Sequence, residues 1–266
     1  MTGADSADLA MLEAALAAAV PVGAAWSLGP LRETADRLFP EEEETVAAAV
    51  AGRRIEFAAG RSQARSALAA LGAAPGPIPA GADRAPLWPL GFVGSITHTR
   101  SIAAAAVAPA TAFASLGLDV EEVRPEIDRI APMVLAPSER AGFEALAGAE
   151  RRRTATLIFS IKEAVFKAHW PLTRRFLEFA DVTVALAPGL GGFEASVRPI
   201  AAEAPPQVYR GRCGTPGRFA LAIVACGAAG SDLRDRSCWS PSGVGGLPGF
   251  RNRRASRMSC TPNVGS

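Results

Sequence analysis

The chain of 266 residues carries 28 Lys and Arg against 26 Asp and Glu, a formal net charge of +2, and is 49% hydrophobic. That hydrophobic content excludes a largely disordered chain, and near-neutrality excludes a broad electrostatic surface for nucleic acid. Cys213, Cys226, Cys238 and Cys260 show neither paired metal-ligand spacing nor a dense disulfide framework, which points to a reducing compartment. Residues 14–25 are apolar, yet the segment before them carries Asp5, Asp8 and Glu13 and no Lys or Arg, unlike the basic start of a signal peptide. Residues 102–114 are too few to span a membrane and include Pro109. The chain therefore reads as soluble and cytoplasmic, with no membrane and no nucleic-acid partner.

In chain order, an Ala-rich amphipathic stretch over 7–20 precedes a short apolar run around Trp26, a candidate strand. Glu41 to Glu44 follow Pro40 and open a helix whose amino-terminal dipole they complement, with helical character through Val46, Val50 and Phe57. Gly60 separates this from a second helix, Ser62 to Leu71, capped by Gly72. Arg53, Arg54, Arg61 and Arg65 form a basic cluster suited to a phosphate-bearing small molecule or to a solvated helix face.

Residues 73–91 are rich in Pro and Gly and form a connecting loop long enough to be either functional or mobile. It ends in Leu87-Trp88-Pro89. Gly94-Ser95-Ile96-Thr97-His98 then leads into a small-residue strand, Ile102 to Val107, and Pro109-Ala110 turns the chain back. In the next strand Leu116, Leu118 and Val120 alternate with Gly117, Asp119 and Glu121, so the two acids share one face. Their spacing of about 7 Å suits one hard cation, although acids on the wet side of a half-exposed strand look the same.

Helices are predicted over Ile127–Val134, Pro137–Ala147 and Arg151–Trp170. In the third, Leu157, Ile161, Ala164, Val165 and Ala168 make the core stripe. Glu163 and Lys167 project away from it among Phe159, Phe166 and Trp170, so this side either lines a cleft or holds an i, i+4 salt bridge between packed elements. Short strands follow over Val182–Leu186, Phe193–Val197, Val208–Arg212 and Phe219–Val224. Helix and strand groups recur in each half, giving an α+β chain of two similar lobes, 1–112 and 113–226, without a residue-level repeat. From residue 227 the sequence turns to Ser, Arg, Gly and Pro, and the 227–266 tail is expected to make no core and be disordered. An altered reading frame at the gene end would explain it.

Four segments coincide in order with one family. Arg53-Arg54-Ile55-Glu56-Phe57 with Gly60-Arg61, Trp88-Pro89 with Gly94 to His98, Gly117 to Glu121, and Phe159 to Lys167 resemble the 4'-phosphopantetheinyl transferases of the surfactin and enterobactin synthetase type, siderophore subgroup. The resemblance covers about 40–226. It implies two pseudo-symmetric α/β lobes with the active site between them, in a monomer. It also implies magnesium-dependent transfer of the phosphopantetheine arm from coenzyme A to a serine of an apo acyl, aryl or peptidyl carrier protein, releasing adenosine 3',5'-bisphosphate. Asp119, Glu121 and Glu163 match the family's metal ligands, and Glu163 also matches its general base. Lys167 would face the phosphate under attack, and Lys162 would support those phosphates or the helix. Arg53 and Arg61 look like contacts to the 3'-phosphate region. His98 matches a position at the coenzyme's phosphates, with Thr97 and Arg84 as further members of that pocket. His169 has no matching role, and Arg151 to Arg153 would receive an acidic carrier or begin a solvated helix. Leu118 and Val120 replace isoleucines often seen beside the metal acids, without changing the chemistry. A catalytically weak coenzyme A or nucleotide-binding regulatory protein is the alternative, and a different magnesium-dependent phosphodiester hydrolase explains only the acids.

Overall fold

The computed structural model describes residues 3–31, 37–187, 191–201 and 204–228. The predicted tail from 229 onward, with Cys238 and Cys260, lies outside the described residues. The first half contains α1 (Gly3–Ala19), β1 (Ala25–Pro30), α2 (Pro40–Val46), α3 (Ala51–Ala70), β2 (Phe92–His98) and β3 (Ile102–Pro109). The second contains β4 (Phe113–Glu122), α4 (Ile127–Val134), α5 (Pro137–Glu144) and α6 (Gly148–Thr173). After a 3₁₀ turn at Phe179–Asp181 come β5 (Val182–Leu186), β6 (Gly192–Val197), β7 (Gln207–Gly214) and β8 (Phe219–Gly227).

Both sheets are antiparallel, with orders β1-β3-β2 and β4-β8-β7-β6-β5. Each begins with a strand that pairs with the last strand of its half, and each packs one long helix, α3 or α6, on a face. This is the expected α+β arrangement with a recurring plan. The two halves meet where β2 lies along β4. There Ser95 Oγ donates to Leu118 O (3.3 Å) and accepts the Leu118 N–H (2.9 Å), while Thr97 Oγ1 accepts the Val120 N–H (3.2 Å). Side-chain hydroxyls thus satisfy backbone groups that would otherwise be orphaned at the seam. A shared core spans it, with Leu12 and Leu16 of α1 packed with Ala104 and Ala106 of β3 and with Leu118 and Ile223 of the second sheet.

One local expectation gives way. The helix break falls at 47–50, where Val50 is extended, and Gly60 lies inside a continuous α3. Gly60 is there for packing: a Cβ would stand 2.8 Å from Ile96 Cγ2 on β2. Glu42, one of the glutamates expected to complement the dipole of α2, does stand in its first turn and is also fully buried. Its carboxylate accepts hydrogen bonds from Arg65, the Ile78 N–H and the Phe39 N–H, closing the start of α2 and anchoring the long loop. Among the described residues no helix is long and apolar enough to cross a membrane.

Candidate functional site

β4 is covered on both faces, so its acids do not sit on a wet side. Leu116, Leu118 and Val120 face the shared core, while Ser115, Gly117, Asp119 and Glu121 face α6. The approach is close: a Cβ on Gly117 would lie 1.9 Å from Ala164 O, so only glycine lets the helix lie against the strand. Ser115 Oγ donates to Ala168 O (2.8 Å) and Ser160 Oγ to Asp119 O (3.1 Å), fixing the rotation of α6. The stripe of Leu157, Ile161, Ala164, Val165 and Ala168 is buried as predicted, and the opposite side turns Glu163, Phe166, Lys167 and Trp170 into a cleft.

That cleft has a cavity of about 990 Å³ between the two halves. Asp119, Glu121, Glu163 and Lys167 border it from β4 and α6; Arg53, Arg61, Thr97 and His98 border it from α3 and β2, and Arg84 from the long loop. Nine of the ten candidate residues therefore adjoin one space. Lys162 does not. Its side chain is 1% exposed, and its ammonium donates to Val134 O (2.7 Å), Glu139 Oε2 (2.9 Å) and Phe179 O (3.2 Å), so it ties α6 to α4 and α5, which fits the helix-supporting arm of the expectation and not the phosphate arm. The reason is angular: successive helix residues are about 100° apart, so Lys162 and Glu163 cannot face the same way.

Within the cleft, Lys167 Nζ donates to Asp119 Oδ1 (2.8 Å) and Leu118 O (3.0 Å). Thr97 Oγ1 donates to the same Oδ1 (3.2 Å), which makes Thr97 a support for Asp119 more than a free phosphate donor. Asp119 Oδ2 is buried with no hydrogen-bond partner. Burial, then the neighbouring Asp119 charge, pushes Glu121 up to about 8. The same causes in the same order raise Glu163. Glu121 and Glu163 share a low-dielectric place beside the Asp119 charge, and each resists ionising there.

Among the described residues no three His, Cys, Asp or Glu side chains are already gathered around a metal position. The donor set nevertheless fits a hard divalent cation. The ligands are all oxygen, one oxygen is buried without a partner, and a cation would relieve the mutual repulsion.

At the basic end, Arg53 Nη1 donates to His98 Nε2 (2.9 Å) and to Glu56 Oε2 (3.3 Å). A guanidinium only donates, so Nε2 is the acceptor and the ring is neutral there, in keeping with burial lowering its pKa. Arg61 is buried, with its guanidinium 4.1 Å over the Phe57 ring and donating to Ile78 O. Burial lowers it to about 10, still charged at neutral pH. The other arginines of the cluster are engaged elsewhere, Arg54 at Val46 O and Arg65 at Glu42, so the four do not act as one patch.

The Arg151 to Arg153 run is likewise dispersed. Arg151 lies over Phe143, Arg152 pairs with Asp128, and Arg153 donates to Gly217 O. His169 Nδ1 meets the Tyr209 hydroxyl at 2.7 Å inside the second half, a structural place. Sequence reasoning missed Glu56, whose i+3 spacing from Arg53 was a usable signal, and Asp83. The latter accepts hydrogen bonds from Trp170 and Arg174 across 87 and 91 residues, which no local pattern announces.

A model of the 4'-phosphopantetheinyl transferase N-terminal domain matches residues 41–108, and a model of the 4'-phosphopantetheinyl transferase superfamily matches residues 115–224. The chain is 48% identical over 162 residues to 4'-phosphopantetheinyl transferase Svp of Streptomyces mobaraensis, covering 59% of this chain and 65% of that protein. It is 38% identical over 146 residues to 4'-phosphopantetheinyl transferase PptT of Mycobacterium tuberculosis, covering 55% and 64%. Enterobactin synthase component D of Salmonella typhi is 34% identical over 137 residues, covering 50% and 55%. The chain thus spans just under two thirds of the length of the first two relatives and about half of the third. Two models of one family, meeting at the seam between the halves and together covering most of the chain, lead to one conclusion: the chain belongs to the 4'-phosphopantetheinyl transferase superfamily.

Proposed function

We propose that the cleft moves the 4'-phosphopantetheine arm of coenzyme A onto a serine hydroxyl of an apo acyl, aryl or peptidyl carrier protein, in a magnesium-dependent reaction that releases adenosine 3',5'-bisphosphate. The observation that carries this reading is a single space bordered by arginines and a histidine from the first half and by three carboxylates and a lysine from the second. The relatives' names supply the reaction class.

In the reaction the serine oxygen forms a bond to the phosphorus bearing pantetheine, and the bond from that phosphorus to the bridging oxygen breaks. The electron pair leaves with adenosine 3',5'-bisphosphate. Glu163 accepts the serine proton, and burial and the Asp119 charge raise its proton affinity toward the working range of a base. Lys167, held at Asp119, donates to a phosphate oxygen as charge develops there. Arg53 and Arg61 grip the nucleotide's phosphates, and His98, whose Nε2 faces Arg53, completes that end. Asp119, Glu121 and Glu163 would hold magnesium, which supplies neutralisation of the pyrophosphate charge.

A monomer working in the cytoplasm, where coenzyme A and carrier proteins meet, belongs to the same proposal. The test is to incubate the full chain with magnesium, coenzyme A and an apo carrier, then measure the carrier's mass. Gain of the phosphopantetheine arm supports the reading, and coenzyme binding without transfer overturns it in favour of a regulatory protein.

A further inference from the structure

The only non-glycine residues with positive φ among those described are Arg84 (φ 66°) and Arg174 (φ 56°). That conformation is uncommon for any residue with a Cβ, and such outliers concentrate at clamps and switches. The two lie 90 positions apart in sequence yet flank one contact. Arg84 belongs to a tight turn in the long loop, closed by an Ala80–Pro86 bridge, by Gly81 N–H to Ala85 O (2.8 Å) and by Arg84 N–H to Gly81 O (2.8 Å). Within the turn Asp83 Oδ1 accepts the Ala85 N–H at 3.1 Å. Its other oxygen, Oδ2, reaches across to α6 and accepts Trp170 Nε1–H (2.8 Å) and Arg174 Nη1–H (2.7 Å). A left-handed residue at a helix end is ordinary when it is glycine. Here it is arginine, and its guanidinium is what the turn engages.

The turn belongs to the first half and α6 to the second, and both border the cleft. We propose that Asp83 is a positioning residue: a latch holding the 81–85 turn across the cleft against Trp170 and Arg174, which releases for coenzyme A to enter or leave. The proposal rests on the cleft being the coenzyme site. The contact suits a latch because it is directional but weak. Arg174 is 68% exposed in its side chain, and pairs so exposed hold loosely. Across the cleft the partners of Asp83 are Trp170 and Arg174 and none of the groups assigned to the chemistry; Trp170 lies about 10 Å beyond Glu163 and about 5 Å beyond Lys167 along the helix axis. Release therefore acts on coenzyme exchange and not on the transfer step. An ordinary surface contact would do neither.

The test uses the full chain with Asp83→Ala and Asp83→Asn, the latter keeping an acceptor for Trp170 but losing the charge that faces Arg174. Without ligand, trypsin cleavage after Arg84 is expected to be about tenfold faster in Asp83→Ala, the scale of one or two exposed hydrogen bonds, with Asp83→Asn between. Stopped-flow dissociation of coenzyme A is expected to accelerate similarly, with kcat at saturating coenzyme within about twofold of wild type. Equal cleavage and equal dissociation in all three proteins overturn the latch, as does a fall in kcat with dissociation unchanged. If the wild-type chain binds no coenzyme A, the transferase reading and the coenzyme clause fall together. Ligand-free cleavage then still decides whether Asp83 holds the turn.

Discussion

Lys167 Nζ stands 2.8 Å from Asp119 Oδ1, while the second oxygen of the same carboxylate is buried with no partner. One oxygen of Asp119 is thus committed within the protein, while the other makes no hydrogen bond there, as suits the proposed cation ligand. Removing the group should disable the site: Asp119→Ala is expected to lower transfer to an apo carrier by about 10³-fold or more, as for residues acting as a unit. Carrier mass spectrometry checks this, and activity within tenfold of wild type would rule out the metal role.

Glu121 gives a pH signature. Its pKa in the folded chain is about 8 against an ordinary 4.5, so between these values the folded protein keeps a proton that the unfolded chain has released. Stability is then fully present below about pH 4.5 and declines as pH rises through 8. Calorimetry in EDTA should show Tm falling across this window, with a shallower fall in Glu121→Gln. Magnesium at pH 8 should restore Tm in wild type more than in the variant, and equal slopes would contradict the crowding of the three acids.

Lys162 separates a structural from a binding role. Lys162→Met leaves the Glu139 carboxylate buried without its cation, held only by the Ala136 and Val184 N–H groups, and should cost about 3–5 kcal/mol. Adding Glu139→Gln removes the stranded charge, keeps an acceptor for the Val184 N–H, and should recover part of that loss in urea melts. In the double variant the Michaelis constant for coenzyme A should stay within about threefold of wild type, as expected for a residue outside the site. A large rise with stability intact would return Lys162 to the phosphates.

Two glycines should respond differently to the same methyl. Gly117→Ala puts a Cβ 1.9 Å from the backbone of α6, which cannot yield locally, so about 3 kcal/mol or more of stability and most activity should be lost. Gly60→Ala puts a Cβ 2.8 Å from Ile96 Cγ2, a methyl on the branched Cβ of a stiff side chain, and its gain of about 1 kcal/mol in helix propensity offsets only part of that overlap. It should cost clearly less than Gly117→Ala, because a side chain and not a backbone has to shift. Equal effects in thermal melts would refute the argument from close approach.

The elements were legible in the sequence because period-2 and period-3.6 patterns survive folding. The strand of Leu118 and Val120 and the stripe of Ile161, Ala164 and Val165 are where the alternation put them. The helix limits near Gly60 were not, since a glycine that breaks a helix and one that admits a neighbouring strand read alike until Ile96 is seen above it. Candidate residues were recognisable by motif, but their availability was not. Thr97 serves Asp119, Arg65 serves Glu42, and Lys162 lies one helical step out of the cleft.

By itself, then, the sequence determined that Asp119 and Glu121 share a strand face and that Glu163 and Lys167 share a helix face, because both follow from backbone periodicity. Only the tertiary structure decided that these faces meet. That depends on Gly117 letting α6 close on β4 and on Ser95 and Thr97 seaming the two halves. Each is a contact between residues distant in the chain, set by shape and hydrogen-bond geometry that no local pattern carries.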